Sequence, residues 1–137
     1  MLSSKWRVRS HRYLGTIHLP IIDLEIQDAR GPFVPFSVCV DSGAAVSLLP
    51  QAMATVLGLD PSAGRPIELG GAGHHGLKDR LYNLAVRLTG LPIVTVPFAI
   101  ADVDNVPGLL GRLGVFDRFE ITFDPTRRET RIDIPQP

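Results

Sequence analysis

The chain has 137 residues, of which 45% are hydrophobic and 20% are charged, and its fourteen basic and fourteen acidic residues cancel. These values are typical of one soluble globular domain over residues 1–137, and a zero net charge recruits neither nucleic acid nor an acidic membrane surface. No apolar run approaches the roughly 20 residues of a membrane span, and no signal-peptide pattern follows the amino terminus. Cys39 is the single cysteine, which excludes an internal disulfide. We therefore expect a cytoplasmic protein without nucleic-acid or membrane partners.

Twelve prolines and thirteen glycines interrupt short apolar runs, a pattern that predicts many short strands. Residues 13–26 predict one long strand or a bent pair, with Pro20 where the buried face changes. Residues 28–32 predict a hairpin turn. Further strands are predicted over residues 33–40, 67–69, 77–88, 93–100, 119–123 and 130–134, and short helices over residues 50–59 and 113–119. A total of about nine strands and two short helices predicts an all-β, barrel-like domain.

One predicted strand runs directly into a carboxylate. Val40 ends the apolar run, and Asp41, Ser42, Gly43 and Ala44 follow it. A core cannot accept a charge cheaply, and glycine gives the next turn backbone freedom that other residues lack. A rigid strand followed by a tight turn is a way to present a carboxylate for catalysis.

Two further elements lie at spacings that one domain can use. The first is a glycine-rich segment between two predicted strands, and it contains Gly70, Gly71, Ala72, Gly73 and His74. The second precedes the second predicted helix and consists of Leu109, Leu110, Gly111 and Arg112. Each signal is weak alone, but their joint order is much more specific.

In this order the three elements resemble those of retropepsins, the retroviral-type aspartic peptidases, and this chain is similar to a bacterial-type member over about residues 15–134. The resemblance implies an acid-protease-like closed β-barrel with one or two short helices and one lobe per chain. It implies a catalytic Asp41, with residues 42–44 supporting its turn. It also implies a substrate-binding flap at residues 70–74, structural support of the site by residues 109–112, a peptide or protein substrate, and neither cofactor nor metal.

The chain contains one such aspartate motif. Asp102, Asp104 and Asp124 lie in turn-like contexts without a preceding apolar strand or a following Ser/Thr-Gly pair. Aspartic peptidase chemistry requires two carboxylates that share a water molecule and one proton. We therefore predict a C₂ homodimer in which each Asp41 meets its twin. The terminal residues 1–12 and 131–137 are the candidates for its interface.

The cysteine and the histidines are expected to have structural rather than reactive roles. Cys39 alternates with apolar neighbours, which favours a small buried hydrophobe over a nucleophile, and a nearby Asp41 would raise the pKa of its thiol. The histidines lack the spacing of metal ligands, and they are His11, His18, His74 and His75.

The chain departs from the retroviral pattern at Ala45 and Val46, where those proteins often carry acidic residues that pair with the arginine of the third element. Arg112 is therefore expected to pair with Asp117 or with a residue of another strand. A catalytically silent peptide-binding or dimerisation domain on the same fold is the alternative to an endopeptidase. A third interpretation is a small barrel in which Asp41 only caps a turn.

Overall fold

The computed structural model describes residues 1–68 and 78–137. Over these residues the chain forms twelve strands and one short helix. The strands are Leu2–Lys5 (β1), Arg7–His11 (β2), Gly15–Leu19 (β3), Ile21–Gln27 (β4), Phe33–Val40 (β5), Ser47–Leu49 (β6), Arg65–Glu68 (β7), Lys78–Arg87 (β8), Val94–Ile100 (β9), Leu109–Leu110 (β10), Glu120–Asp124 (β11) and Glu129–Asp133 (β12). The helix is Ala52–Val56 (α1).

Six of the described strands close into a barrel. Hydrogen bonds join them in the order β4-β5-β10-β6-β9-β8, and β7 pairs with β8 outside this ring. The ring closes where β8 pairs back onto β4, with Glu25 opposite Arg87 and Ile26 opposite Val86. Closure satisfies the backbone groups that an open sheet would leave unpaired at its edges. The predicted all-β closed barrel is confirmed.

Alternating side chains fill the barrel interior. In β4, Ile22, Leu24 and Ile26 are buried, whereas Asp23 on the opposite face is exposed. This is the period of two expected for a strand with one face on the core, and each buried aliphatic side chain contributes about 1.5–3 kcal/mol. Pro20 separates β3 from β4. Residues 13–26 therefore contain a bent pair of strands.

The two predicted helices have different outcomes. Helix α1 lies within the predicted residues 50–59. The helix predicted over residues 113–119 is wrong, because residues 113–118 form turns. Gly114 has a left-handed φ of +78°, which interrupts a right-handed helical run, and a Cβ there would lie 3.0 Å from Pro97 Cδ. Close packing of this segment against β9 thus replaces the helix.

The chain termini form a small sheet of their own. Its strand order is β1-β12-β11, and β1 is antiparallel to β12 with Leu2 opposite Ile132. Next along the chain, β2 and β3 form an antiparallel hairpin with Arg7 opposite Leu19. Within the described residues, no helix is long and apolar enough to cross a membrane.

Polar contacts tie the base of the β2–β3 hairpin to the barrel. Arg7 Nη2 lies 2.7 Å from Asp23 Oδ2, and Ser37 Oγ donates a 2.6 Å hydrogen bond to Asp23 Oδ1. The hydrogen bond from Arg7, followed by that from Ser37, holds the pKa of Asp23 below its ordinary value of 3.8. Because the pKa is lower in the folded chain than in the unfolded chain, these contacts stabilise the fold above about pH 4 and are lost as the pH falls through the lowered pKa.

We therefore expect the thermal unfolding temperature to fall between about pH 5 and pH 3, and to fall less in the Asp23→Asn variant than in the wild type. Circular dichroism melts at several pH values measure the effect. Asp117→Asn, which removes an exposed carboxylate, is the control and should keep the wild-type dependence. An identical acid shift in wild type and Asp23→Asn would contradict the assignment.

Candidate active site

The Asp41 turn, residues 41–44, begins where β5 ends. Val38 and Val40 of β5 are buried, whereas Asp41 is half-buried. The backbone N–H of Asp41 donates a 2.9 Å hydrogen bond to Leu110 O of β10. The carboxylate is thus carried by a backbone that two strands hold in place, while its side chain stays accessible to a bound molecule.

Gly43 lies against the Asp41 carboxylate. Its N–H donates a 2.8 Å hydrogen bond to Asp41 Oδ1, and a Cβ on Gly43 would lie 3.2 Å from the same oxygen. A side chain at this position would therefore press on the carboxylate. The turn closes with a 3.3 Å hydrogen bond from the Ala44 N–H to Asp41 O. Ser42 and Gly43 are exposed, and Ala44 is half-buried.

The two-residue strand β10 passes directly behind this turn. It runs parallel to β5, with Leu110 opposite Val40, and antiparallel to β6, with Leu109 opposite Leu48. Leu110 is fully buried in the barrel core. The fold therefore brings residues 109–112 next to residues 41–44, which are far away in the sequence.

Gly111 and the segment after the Asp41 turn are in backbone contact. The Gly111 N–H donates a buried 2.9 Å hydrogen bond to Ser47 Oγ. A Cβ on Gly111 would lie 2.7 Å from the carbonyl carbon of Val46 and 2.9 Å from Ala44 O. No side chain fits in that space without moving backbone atoms. Glycine is therefore required here by the available space rather than by its freedom of φ.

Arg112 binds the Asp41 turn itself. Its backbone N–H donates a 2.9 Å hydrogen bond to Ala44 O, and its Nη1 donates a 2.8 Å hydrogen bond to Ser42 O. The structure thus differs from the expected pairing with Asp117 or with another strand. Because residues 45 and 46 are alanine and valine, the acceptor that the guanidinium reaches is a backbone carbonyl. The side chain holds the peptide unit between Ser42 and Gly43, in the middle of the Asp41 turn.

Cys39 is half-buried beside the turn. Burial raises the pKa of its thiol, and the negative charge of Asp41 raises it further. The thiol therefore stays protonated and is a poor nucleophile, in agreement with the sequence prediction. In the described ranges, no group of three His, Cys, Asp or Glu side chains lies close enough together to hold a metal ion.

A second apolar cluster lies beside the Asp41 turn, separate from the barrel core. Its buried members are Leu48, Ala99 and Ala101, and its half-buried members are Val46, Ile67, Val103, Val106 and Leu109. Sequence reasoning missed this cluster, because Val103 lies between Asp102 and Asp104, whose context is turn-like. Sequence position could have indicated the cluster, because Val46 lies two residues after Ala44 and Leu109 is the first residue of the 109–112 element.

A cavity of about 600 Å³ adjoins this cluster. It lies between α1 and the β7–β8 pair, and Ala54, Ile67 and Tyr82 are among its lining residues. Asp41 is not among its described lining residues. The cavity therefore extends the apolar surface beside the turn, but it is not where the carboxylate lies.

The glycine-rich segment follows β7. The antiparallel pairing of β7 with β8 extends to Glu68 opposite Lys78. The predicted flap residues lie outside the described residues, and they are Gly70, Gly71, Ala72, Gly73 and His74. The predicted flap over the site therefore stays a prediction.

The sequence profile of the aspartyl protease family matches residues 22–112, which include both the Asp41 turn and residues 109–112. The chain belongs to the aspartyl protease family. No curated protein sequence matches the chain.

Solved structures show which fold this aspartyl protease family member adopts. A retropepsin-like aspartic protease from Rickettsia conorii aligns with a TM-score of 0.59 and 17% sequence identity, over 94% of this chain and 95% of that one. EIAV protease complexed with the inhibitor HBY-793 aligns with a TM-score of 0.49 and 22% identity, over 76% of this chain and 88% of that one. The Rickettsia alignment, which covers nearly the whole of both chains, confirms the predicted retropepsin-like fold.

Proposed function

We propose that this protein is an aspartic endopeptidase that hydrolyses peptide bonds as a homodimer, with one Asp41 from each subunit. The single observation that carries the proposal is the Asp41 turn in a chain of the aspartyl protease family: an accessible carboxylate with its backbone held by β10 and one oxygen held by the Gly43 N–H. A carboxylate fixed in this way keeps its position while a proton and a water molecule move.

The need for a second copy follows from the number of suitable carboxylates. Asp104 Oδ1 accepts a 2.7 Å hydrogen bond from the Ala52 N–H, and Asp124 is engaged with Arg127 and Arg131. Neither follows an apolar strand with a Ser-Gly turn. One chain therefore offers one carboxylate of the required kind, and a two-fold axis supplies its partner.

In the proposed mechanism, one Asp41 is ionised and removes a proton from a water molecule, which attacks the scissile carbonyl carbon. The protonated twin donates a hydrogen bond to the carbonyl oxygen and later helps to protonate the leaving amine. The Gly43 N–H restricts the rotation of each carboxylate. Ser42, which is exposed, donates its hydroxyl across the interface and keeps the two turns in register.

The substrate in this proposal is a peptide in extended conformation, covered by residues 70–74 and lying against the second apolar cluster. Ala45 and Val46 offer no carboxylate to the peptide backbone, so apolar contacts contribute more to binding here. We also propose that residues 1–137 act as one retropepsin-like domain in the cytoplasm, in keeping with the single cysteine, which stays a protonated thiol beside Asp41.

Concentration dependence tests the shared site. We expect cleavage of a diverse peptide library to require the dimer, so the rate per chain should rise with protein concentration and reach half its maximum at the dimer dissociation constant. Sedimentation velocity gives that constant independently, and a pepstatin-type inhibitor is the chemical control. A rate per chain that is constant where the protein sediments as a monomer would contradict the shared site. No cleavage where the protein is dimeric would favour the silent peptide-binding domain.

A further inference from the structure

The β2–β3 hairpin stands apart from the rest of the fold. Among the described strands, β2 and β3 pair only with each other, and every residue from 8 to 16 is exposed. Strands of five residues extend about 17 Å from the base of the hairpin. A two-stranded hairpin without packing partners is marginally stable in water. A long, fully paired hairpin of this kind therefore indicates a surface that binds another molecule.

Contacts on both strands fix the direction of the hairpin. On β2, Arg7 Nη1 donates a 3.0 Å hydrogen bond to Ser37 Oγ of β5. On β3, His18 Nε2 lies 2.9 Å from Nη1 of Arg128, which is in the turn between β11 and β12. The base is thus held by the barrel on one side and by the terminal sheet on the other, and the exposed part is oriented before it meets a partner.

The hairpin ends next to the candidate active site. Pro20 directly follows β3, and its carbonyl oxygen accepts a 2.9 Å hydrogen bond from the Val40 N–H. Val40 is the residue before Asp41. One backbone hydrogen bond therefore connects the residue after the hairpin with the residue before Asp41.

The tip of the hairpin presents ordered apolar side chains to solvent. His11 Nδ1 accepts 3.1 Å hydrogen bonds from the N–H groups of Tyr13 and Leu14, and Gly15 has a φ of +73°. Tyr13 is 80% exposed and Leu14 is 70% exposed, and the Arg12 guanidinium lies 5.4 Å from the Tyr13 ring centroid. Tyrosine and arginine are enriched among the residues that contribute most to protein interfaces.

The charge distribution identifies the kind of partner. Asp23 is the first acidic residue, and the preceding 22 residues contain four basic ones, Lys5, Arg7, Arg9 and Arg12. Residues 23–137 contain ten basic and fourteen acidic residues, so they carry a net charge of −4. Of these four, Arg9 and Arg12 lie in the exposed part of the hairpin, whereas Lys5 lies in β1 and Arg7 is paired with Asp23. A basic hairpin tip is complementary to the net negative remainder of a second copy of the same chain.

We infer that the β2–β3 hairpin is an arm that docks on a second copy of this chain, with Tyr13 and Leu14 as its apolar anchors. The inference rests on the proposed homodimer, in which the two Asp41 turns meet at the two-fold axis. Because Pro20, the residue after each arm, is hydrogen-bonded to the residue before Asp41, docking of both arms would help to fix the two turns relative to each other. The arm is a positioning element and contributes no atom to the reaction.

Sedimentation velocity of tip variants tests the arm. We expect the Tyr13→Ser/Leu14→Ser double variant to raise the dimer dissociation constant about tenfold or more. The Arg9→Glu/Arg12→Glu variant should also weaken the dimer and reduce its sensitivity to salt. Ile93→Ser removes an apolar side chain that is 53% exposed in the loop before β9, and it should leave the constant unchanged. Thermal unfolding of each variant checks that the fold is retained.

The outcomes separate the arm from the proposed function. Suppose that the wild type dimerises and cleaves peptides, and that the Tyr13→Ser/Leu14→Ser variant has the wild-type dimer dissociation constant. The proposed role of the arm is then wrong, and the proposed peptidase function is retained. If the tip variant forms fewer dimers and regains the wild-type rate at high protein concentration, the arm is supported. If the wild type is monomeric at every concentration and does not cleave, both proposals are wrong.

Discussion

The Asp41→Asn variant is expected to cleave peptides at least about 10³-fold more slowly than the wild type, with its fold unchanged. An amide can neither remove a proton from water nor hold one for the leaving amine. Its oxygen can still accept the 2.8 Å hydrogen bond from the Gly43 N–H, so the turn keeps its shape. Initial rates on a cleaved library peptide, with circular dichroism of both proteins, measure the effect. Cleavage at the wild-type rate would exclude Asp41 as the catalytic carboxylate.

Mixing experiments make this result specific to a shared site. If subunits exchange freely, an equal mixture of wild type and Asp41→Asn leaves about one quarter of the dimers with two Asp41 side chains. At the same total protein concentration, the activity of the mixture should then be below half of the activity of the wild type alone. Asp117→Asn, which changes an exposed carboxylate outside the turn, is the matched control and should not inhibit in a mixture. Activity that falls only by dilution would contradict a site built from two chains.

The Gly111→Ala variant is expected to lose about 3 kcal/mol of unfolding free energy. The added Cβ would lie 2.7 Å from the carbonyl carbon of Val46, and that backbone cannot shift without moving the Asp41 turn. The shift would also stretch the buried hydrogen bond from the Gly111 N–H to Ser47 Oγ. Urea denaturation followed by circular dichroism measures the loss, and the rate of peptide cleavage should fall with it.

Two other variants separate the causes of this loss. Ser47→Ala removes only the hydrogen-bond acceptor and should cost about 1–2 kcal/mol. Gly15→Ala adds a Cβ with nothing within 4 Å but at a φ of +73°, so it should cost about 1–2 kcal/mol through backbone strain alone. A Gly111→Ala variant no less stable than these two would contradict the close contact with Val46.

Local sequence signals predicted much of the barrel. The alternation of Ile22, Leu24 and Ile26 identifies the buried face of β4, and Pro20 marks the point between β3 of the hairpin and β4 of the barrel. Both signals depend on neighbouring residues only. The Asp41 motif was found in the same way, because a charge at the end of an apolar strand is unusual wherever it occurs.

The features that sequence did not predict depend on contacts between distant residues. Strands β6 and β10 have three and two residues, too few for a period to be recognised, and they exist because each pairs with a strand far along the chain. Gly114 interrupts the predicted second helix because the segment packs against Pro97. The bond from Arg112 to Ser42 O likewise requires the turn and β10 to have come together first.

The separation of the second apolar cluster from the barrel core has an evolutionary consequence. Val46, Val103 and Val106 belong to the second apolar cluster, whereas the core that holds the barrel together is a different set of side chains. The margin of stability of a domain this size is only about 5–15 kcal/mol, and most of it depends on the core. Substitutions at these three valines can therefore change the surface of the second apolar cluster at little cost to the barrel core, so related proteins can differ in this surface while they keep the same fold.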